Sequence, residues 1–371
     1  MAITLEPALR SASSAYRDLG FEDLMDVLDI FEPAATPLFT LANSEKKLDA
    51  TETSWEVDKY GTPNGALGPG DGYALQAGEI ADVTSTRRKM GNGGQLFRRG
   101  FGSGFSAERV PRLPGSGKGI MASAITRYTV LLKQDIECAL GSFDQVFALD
   151  QGGANGGTMA GLRKMIDPAN AYASANAYVL GAPTDIHSAP ADACVTGALA
   201  DVWNLSLIKK IMQALLISTN MDREYWLLCN TGLRQAVSGL TDPQGLGGQA
   251  PNSTPAQARI FVKDQDDETF KQRISVIETD FGTLRVKLDL LLGTTAADVN
   301  GVATDTRANR VFSAQRNYGY IVPQEKLAKR WGFPIDTDEL GHDGGGVTRM
   351  LFTYLTEVVY NPMGFGFLAL T

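Results

Sequence analysis

The sequence predicts an α+β fold, and three observations lead to that prediction. The first is a long amphipathic helix, expected from about Gly117 to Leu140, in which apolar residues recur every three or four positions. The second is a C-terminal part with several extended stretches, of which Thr283–Leu290 alternates apolar and polar residues most clearly. The third is the presence of 40 glycines in 371 residues, concentrated in loops. Because long glycine-rich excursions are costly for an isolated chain, we expect a neighbouring subunit to hold them.

Composition limits the classes of protein to which the chain can belong. Its formal net charge of -8 argues against a dedicated nucleic-acid reader, because such proteins present a basic face. The three cysteines, Cys138, Cys194 and Cys229, are widely spaced and odd in number, so no disulfide framework is expected. The N-terminus lacks a signal-peptide pattern, and no run approaches the roughly 18 apolar residues of a membrane span. We therefore expect a protein that is soluble and intracellular at synthesis and has no membrane partner.

The N-terminal third is predicted to contain a helix, an anchor and a projecting hairpin. Phe21–Phe31 has helical spacing, and Thr36–Leu41 follows it as an extended segment. Two further extended stretches, Thr53–Tyr60 and Gln95–Phe101, are separated by a glycine-rich tip. We expect these two stretches to pair as a hairpin with little core of its own.

The rest of the chain is predicted to mix helices and strands. Helices are expected at about Thr196–Leu216 and Thr231–Ser238. Strands are expected at Tyr225–Cys229, Ala258–Val262, Ile274–Glu278, Thr283–Leu290, Val311–Ala314, Gly319–Pro323 and Phe352–Tyr360. Asp280–Gly282 is expected to form a turn with its glycine in the left-handed region. Residues Met363–Leu370 are so apolar that the C-terminus must pack into a core or against another subunit.

No pattern in the sequence predicts a catalytic residue, a cofactor site or a metal site. Gly115–Lys118 lacks the earlier glycine and the following Ser or Thr of a phosphate-binding loop, so a flexible hinge is expected. Asp280–Gly282 matches a kinase tripeptide, but the other kinase motifs are missing. His187 and His342 have no Cys or Glu at ligand spacing. Asp264–Glu268 lacks the loop glycine of a calcium site and is expected to be solvated.

Inter-subunit contacts are predicted for a set of basic and aromatic residues. The basic members form two clusters on the predicted hairpin, where they could contact phosphate groups or form salt bridges with an acidic neighbouring subunit. The acidity of the chain and the position of the clusters favour salt bridges. The full set is Trp55, Arg87, Arg88, Lys89, Arg98, Arg99, Phe365 and Phe367.

Taken in order along the chain, several motifs resemble those of tailed-bacteriophage major capsid proteins with the Hong Kong 97-type fold. More narrowly, they resemble the podovirus-like major head proteins. They include a Thr-Pro-Leu/Phe anchor, a Trp-containing strand, a strand–Asp-Phe-Gly–strand segment, and a glycine-rich stretch before a strand with a central Glu and an Asn-Pro ending. In this chain they are Thr36–Phe39, Trp55–Asp58, Val276–Val286, Gly341–Gly346, Glu357 and Asn361–Gly366.

The resemblance also implies a division of the chain into segments. They are an N-terminal arm (1–44), an extended loop or hairpin flap (45–112), a long spine helix with the first part of a peripheral domain (113–185), an axial domain (186–330) and a C-terminal return into the peripheral domain (331–371). No catalytic residue, cofactor or metal is implied.

The function implied by the resemblance is structural. The chain would assemble with itself, as hexamers and pentamers, into the icosahedral head shell that encloses the double-stranded DNA of a tailed bacteriophage, without reading the DNA sequence. Portal, scaffolding and possible decoration proteins would be its partners, and it would reach the virion after assembly in the host cytoplasm. Two alternatives stay open, an encapsulin-like nanocompartment shell around cargo enzymes and an unrecognised loop-rich hydrolase. A neighbouring cargo gene would favour the first, and a monomer or small oligomer in solution would favour the second.

Overall fold

The computed structural model describes residues 36–45, 47–57, 88–103, 120–142, 145, 157–168, 188–197, 203–219, 224–239, 274–292, 317–343 and 346–370. The helices of this part are α1 (Pro37–Leu41), α2 (Ile120–Leu140), α3 (Leu162–Ile166), α4 (Leu205–Thr219) and α5 (Thr231–Gly239). The strands are β1 (Asn43–Glu45), β2 (Glu52–Val57), β3 (Arg88–Gly93), β4 (Gln95–Ser103), β5 (Cys194–Gly197), β6 (Glu224–Cys229), β7 (Val276–Thr279), β8 (Gly282–Leu288), β9 (Asn317–Val322), β10 (Leu327–Asp343), β11 (Gly346–Val359) and β12 (Gly366–Leu370).

The described strands form three sheets. The largest has the order β5-β12-β9-β6-β8-β7, the second has the order β1-β10-β11-β4, and β2 pairs with β3. In the largest sheet β12 is parallel to β5 and β6 is parallel to β8, whereas the other neighbours are antiparallel. The chain divides into two compact units. The described part of the smaller unit comprises residues 98–103, 120–132, 335–343 and 346–352, and the larger unit comprises the remainder.

The core of the larger unit is an apolar cluster that α4 and α5 share with the six-stranded sheet. Both helices begin at asparagine caps, because Asn204 Oδ1 accepts from Leu207 N at 2.7 Å and Asn230 Oδ1 accepts from Leu233 N at 3.2 Å. The buried residues of α4 recur at helical spacing and face this cluster. They are Ile208, Ile211, Met212 and Leu215.

The C-terminus forms an inner strand of that sheet. β12 lies between β5 and β9, so that Phe367 pairs with Cys194 on one side and with Tyr320 on the other. Phe365 and Leu370 are fully buried. The prediction that the apolar C-terminus packs into a core is confirmed.

The smaller unit contains the first part of α2 together with the distal parts of β4, β10 and β11. Phe101 of β4 stacks on Tyr128 of α2, with ring centroids 4.9 Å apart and ring planes at 16°. Only two residues separate β10 from β11, so the two strands form an antiparallel hairpin. None of the described helices in either unit is long and apolar enough to span a membrane.

Several predicted elements within the described residues are confirmed. The long helix is α2, and the predicted helix at Thr231–Ser238 is α5. The strands predicted at Tyr225–Cys229, Ile274–Glu278, Thr283–Leu290, Gly319–Pro323 and Phe352–Tyr360 correspond to β6, β7, β8, β9 and the second part of β11. Gly282 has φ 134°, which confirms the glycine-dependent turn before β8. The elements predicted at Phe21–Phe31, Ala258–Val262 and Val311–Ala314 lie outside the described residues.

One short helix was not predicted, and the start of another helix was predicted wrongly. Thr36–Leu41 was expected to be extended, but Pro37–Leu41 is a short helix, which a proline at its first position favours. The helix predicted from Thr196 begins at Leu205 instead, because Cys194–Gly197 pairs with β12 as a strand. Gly197 ends that strand with φ 146°, a conformation that glycine adopts more readily than other residues.

The pairing of the projecting hairpin was also predicted wrongly. β2 pairs with β3, with Trp55 opposite Met90, and Gln95–Phe101 belongs to β4 in a different sheet. β3 contains Gly91, Asn92 and Gly93, residues with low strand propensity, so the sequence pattern does not reveal it. The 17-residue strand β10 was missed for a related reason, since it contains two glycines and a proline.

Candidate functional site

The three aromatic residues predicted to contact another subunit are buried within the chain itself. Trp55 is 8% exposed, and its indole N–H donates to the carbonyl oxygen of Val359 at 2.9 Å. Phe365 is fully buried, and Phe367 lies under the Arg163 guanidinium, 5.1 Å from ring centroid to Cζ. All three side chains are therefore already buried within a single copy of the chain. A contact of any of them with a second copy stays a prediction.

The basic residues of the predicted set lie on β3 and β4 or close to them. Lys89 and Arg98 are exposed and Arg99 is half-buried. Arg88 begins β3 opposite Val57, but its side chain is not described. Arg87 lies outside the described residues. The exposed cations are therefore at positions that another copy could reach.

β4 has one buried face and one exposed face. Phe97 and Phe101 are each 7% exposed, whereas Arg98, Gly100 and Gly102 on the opposite face are exposed. A side chain added at Gly100 would meet no atom within 4 Å. β4 is also the last strand in the order of its sheet. It therefore presents both an open face and an outer edge.

The distal half of β10 is exposed and acidic. Asp336, Asp338 and Glu339 are all exposed, and Leu340 is 56% exposed. Glu339 Oε2 lies 3.8 Å from a guanidinium nitrogen of Arg349, with both side chains accessible to solvent. An exposed ion pair at this distance contributes little stability. The exposed carboxylates of Asp336 and Asp338 are therefore accessible to a partner.

The ring of Tyr354 packs directly against two glycines, Gly94 and Gly332. A Cβ added at Gly94 would come within 2.3 Å of the ring, and one added at Gly332 would come within 2.4 Å. The hydroxyl donates to the carbonyl oxygen of Thr51 at 3.0 Å, and the ring stacks on Phe333 with centroids 5.7 Å apart. The two glycines thus leave the space that the ring occupies.

A buried asparagine fixes the position of β3, the strand that carries the first basic cluster. Asn92 is 1% exposed, and its amide nitrogen donates to the carbonyl oxygens of Glu357 at 3.0 Å and Ala160 at 3.3 Å. Its amide oxygen accepts from Ala160 N and Gly93 N, each at 2.9 Å. Because a buried amide is costly unless bonded, this network holds β3 against β11 and the segment at Ala160.

Glu137 of α2 caps the short helix α1. Its two carboxylate oxygens accept from Leu38 N at 2.7 Å and Phe39 N at 2.6 Å. A helix start leaves such N–H groups without an intrahelical partner, and the Thr36 side chain does not cap them. Lys329 donates to the Phe39 carbonyl and lies 3.9 Å from the centroid of the Phe39 ring. One acid and one base from distant parts of the chain therefore hold α1 in place.

Asp289 is a second buried acid close to Glu137. Its Oδ1 accepts from Leu291 N at 3.0 Å, and its carboxyl group lies within hydrogen-bonding reach of the Glu137 carboxyl group, which can donate when it is protonated. Burial raises the pKa of both carboxyl groups, and the Asp289 charge raises the pKa of Glu137 further. Burial also lowers the pKa of Lys329. The site therefore disfavours two ionised carboxylates at the same time.

Glu357 of β11 is a third buried acid. It is 0% exposed, and neither of its carboxylate oxygens has a partner among the described residues. Burial raises its pKa well above the usual value. Since an isolated ionised carboxylate in a dry site is very costly, the protonated form is favoured in the folded subunit.

The described residues offer few groups for metal or thiol chemistry. They contain no group of His, Cys, Asp and Glu side chains placed to bind a metal ion. Burial raises the pKa of Cys194 and of Cys229 to about 12, so both thiols stay protonated. A cavity of about 10 Å³ between α4 and the sheet has room for one water molecule at most. Its lining is apolar: Trp203, Ile208, Ile211, Met212, Leu227, Leu284, Ile321 and Leu368.

Sequence reasoning missed Asn92, Glu137, Asp289 and Tyr354. The helical pattern places Glu137 on the polar side of α2, and the alternation of β8 places Asp289 on the same side as Arg285. In the structure β8 ends at Leu288, which is 41% exposed, so the alternation breaks and Asp289 turns inward. For these two acids, the only signal in the sequence was a charged residue within an apolar stretch.

Comparison with known proteins gives both a family and a fold. A model of the family described as SU10 major capsid protein matches residues 8–371. No curated protein sequence matches the chain significantly. The capsid of a native GTA particle has a TM-score of 0.54 and 11% identity, covering 99% of each chain. The capsid of cyanophage P-SCSP1u has a TM-score of 0.51 and 9% identity, covering 96% of this chain and 94% of that chain. The mature capsid of bacteriophage PhiM1 has a TM-score of 0.50 and 10% identity, covering 94% of this chain and 91% of that chain.

Proposed function

Because the chain belongs to the SU10 major capsid protein family, we propose that its shell is the icosahedral head of a tailed bacteriophage and encloses double-stranded DNA. The chain is a shell-forming major capsid protein with the α+β, Hong Kong 97-type fold that the sequence predicted. Its role is structural, it assembles with itself, and its location is the capsid. The observation that supports the proposal best is the family match from residue 8 to residue 371.

The charge of the chain fits a container for DNA better than a DNA reader. A net charge of -8 repels the phosphate backbone, so the inner wall of a shell would not hold the packaged genome tightly. This feature supports a passive wall.

We propose the segment boundaries implied by the sequence as the working division of the subunit. Residues 1–44 would form the arm, 45–112 the extended loop, 113–185 the spine helix and first peripheral part, 186–330 the axial domain and 331–371 the return. Support comes from α2 at the spine position and from the six-stranded sheet, most of whose strands lie between residues 186 and 330. Within this division Lys89, Arg98 and Arg99 are the cations proposed to contact a neighbouring subunit.

The proposed partners are a portal, a separate scaffolding protein and possible decoration proteins, and the proposed place of assembly is the host cytoplasm. The test is to purify particles from infected cells and treat them with DNase before extracting nucleic acid. Protected double-stranded DNA of one genome length would support the proposal. Particles of this chain that contain protein cargo and no protected DNA would contradict it and favour the nanocompartment alternative.

A further inference from the structure

The sheet of the smaller unit has a basic outer edge. β4 is the last strand in the order β10-β11-β4, and no described strand lies beyond it. Its nine residues include Arg98 and Arg99 and no acidic residue. Arg98 is exposed and forms no ion pair with any described residue. Arg98 is therefore a positive charge on this edge that no described acidic residue neutralises.

The opposite edge of the same sheet is acidic. β1 pairs with β10 only from Ala328 to Arg330, so no described strand covers the part of β10 in the smaller unit. Asp336, Asp338 and Glu339 are exposed there, and no basic residue lies between Ile335 and Gly341. Asp336 and Asp338 lie on the same face of the strand, because side chains alternate, and the repulsion between their two like charges makes a counter-charge favourable.

One copy of the chain cannot bring these two edges together. β11 lies between β10 and β4, so the edge strands are separated by two strand spacings, about 9.6 Å. Each copy nevertheless has one edge of each sign. A neighbouring copy, placed in the same orientation, would therefore offer the required opposite charge.

We propose that the acidic β10 edge of one subunit binds the basic β4 edge of the next subunit, head to tail. Such a contact is heterologous, and heterologous contacts close into rings when the rotation between copies allows it. Every copy in a ring then uses both edges. This inference rests on the proposed function, since it identifies one contact by which copies of the shell protein associate.

The edges favour salt bridges over strand addition. Asp336 Oδ1 accepts from Thr337 N at 2.7 Å, so a side chain already occupies one backbone donor of the strand. Charged residues on an edge strand also oppose pairing with another strand. We therefore expect side-chain pairing between the exposed Arg98 and the carboxylates of Asp336 and Asp338.

The first experiment reverses the charges. The acid-edge variant is Asp336→Lys/Asp338→Lys, the base-edge variant is Arg98→Glu, and the exchanged variant combines all three substitutions. Each is expressed with its scaffolding protein, checked for folding by circular dichroism, and counted as shells by electron microscopy. We expect each single-edge variant to lose at least tenfold in shell yield, and the exchanged variant to recover most of that loss. A matched control reverses two exposed acids of the larger unit, Glu278→Lys/Glu325→Lys.

Two outcomes of this experiment would overturn the inference. One is a normal shell yield from both single-edge variants. The other is a failure of the exchanged variant to exceed the single-edge variants, because restored complementarity should restore binding. The proposed function is judged separately, by whether the unsubstituted chain forms shells under the same conditions.

The second experiment does not depend on charge. Arg98→Cys is combined with Asp336→Cys or with Asp338→Cys, and assembled particles are oxidised. Since the edges of one chain are too far apart for a disulfide, any new bond must join two copies. We expect a ladder on non-reducing gels that extends beyond the dimer, because each copy has two linking sites. Particles that form but give no bands beyond those of the single-cysteine variants would contradict the contact, and a ladder that stops at the dimer would contradict its head-to-tail geometry.

Discussion

Individual side chains in the larger unit illustrate two physical constraints, the space left by glycine and the cost of a buried carboxyl group. Tyr354 occupies volume that a Cβ at Gly94 or Gly332 would fill, so glycine is required inside or beside strands where it is otherwise unfavourable. Glu357 is buried without a partner among the described residues, which makes its ionisation unfavourable. Each constraint leads to a measurable effect of one substitution.

Substituting the glycine beneath Tyr354 should destabilise the subunit. A Cβ at position 332 would lie 2.4 Å from the ring, so Gly332→Ala should lower the free energy of unfolding by about 1–3 kcal/mol, as overpacking does. Gly100→Ala is the matched control, because its Cβ would meet no atom within 4 Å, and its effect should stay within about 0.5 kcal/mol. Urea denaturation of the dissociated subunit measures both. Equal effects of the two substitutions would contradict the packing argument.

Glu357 should make stability depend on pH. Its pKa is higher in the folded state than in the unfolded state, so the free energy of unfolding falls as the pH rises from the usual glutamate range towards the raised pKa. Glu357→Gln cannot ionise, so it should be more stable than the unsubstituted subunit at pH 8, by about 1–3 kcal/mol, with a smaller difference at pH 5. Glu137 and Asp289 have raised pKa values as well, so some pH dependence should persist in this variant.

The control for that substitution is Glu325→Gln, which neutralises an exposed glutamate. It should leave both the stability and its pH dependence nearly unchanged. If Glu357→Gln gives the same profile as this control between pH 5 and pH 8, the buried carboxyl group does not have the role assigned to it.

At the scale of secondary-structure elements, the strand order explains why the C-terminus is structural. β12 is hydrogen-bonded on both sides, to β5 and to β9, so it completes the sheet rather than extending it. Without it, β5 loses its only described neighbour in the sheet, and β9 gains an open edge. Exposed strand edges of this kind promote aggregation.

Truncation after Asn361 should therefore abolish folding of the larger unit. The deletion removes β12 together with the buried Phe365, Phe367 and Leu370, more apolar surface than a subunit of ordinary stability can lose. We expect an insoluble product, measured as the soluble fraction after expression. Removing Thr371 alone is the control and should have little effect. A truncated subunit that is soluble and still forms shells would contradict the role of β12.

At the scale of the whole molecule, the chain contains two compact units and a long segment, residues 58–87, that lies outside the described residues. Residues 58–87 connect β2 to β3, and the pairing of these strands depends on Glu52–Val57 and Arg88–Gly93 alone. Multivalent contacts can hold a subunit firmly in a shell even when each contact is weak. The loop is one place where such contacts are proposed.

Deleting Pro63–Arg87 should separate folding from assembly. The β2–β3 pair keeps all of its paired residues, so the subunit should stay soluble, with a melting temperature within a few degrees of the full chain. Shell closure should fail, because the proposed contact with the neighbouring subunit is lost. Size-exclusion chromatography and electron microscopy measure the two properties. Normal closed shells from the deletion variant would refute the role of this loop.

The sequence predicted elements where local pattern and packing agree, and it failed where tertiary contacts decide. The helical spacing of α2 and the alternation of β8 were sufficient to predict both elements. β3 could not be predicted, because a buried Asn92 with partners on two distant segments compensates for its low strand propensity. β10 contains Gly332 because Tyr354 of the next strand needs the space. The charged edges combine residues more than 230 positions apart, a relation that only the strand order reveals.

The measurement that tests the central claim most directly is cryo-electron microscopy of the chain expressed together with its scaffolding protein. We predict closed icosahedral shells built from hexamers and pentamers of this one chain, in which β4 of each subunit faces β10 of the next. A subunit that stays monomeric under these conditions, although folded and in the presence of the scaffold, would contradict the assignment as a shell protein.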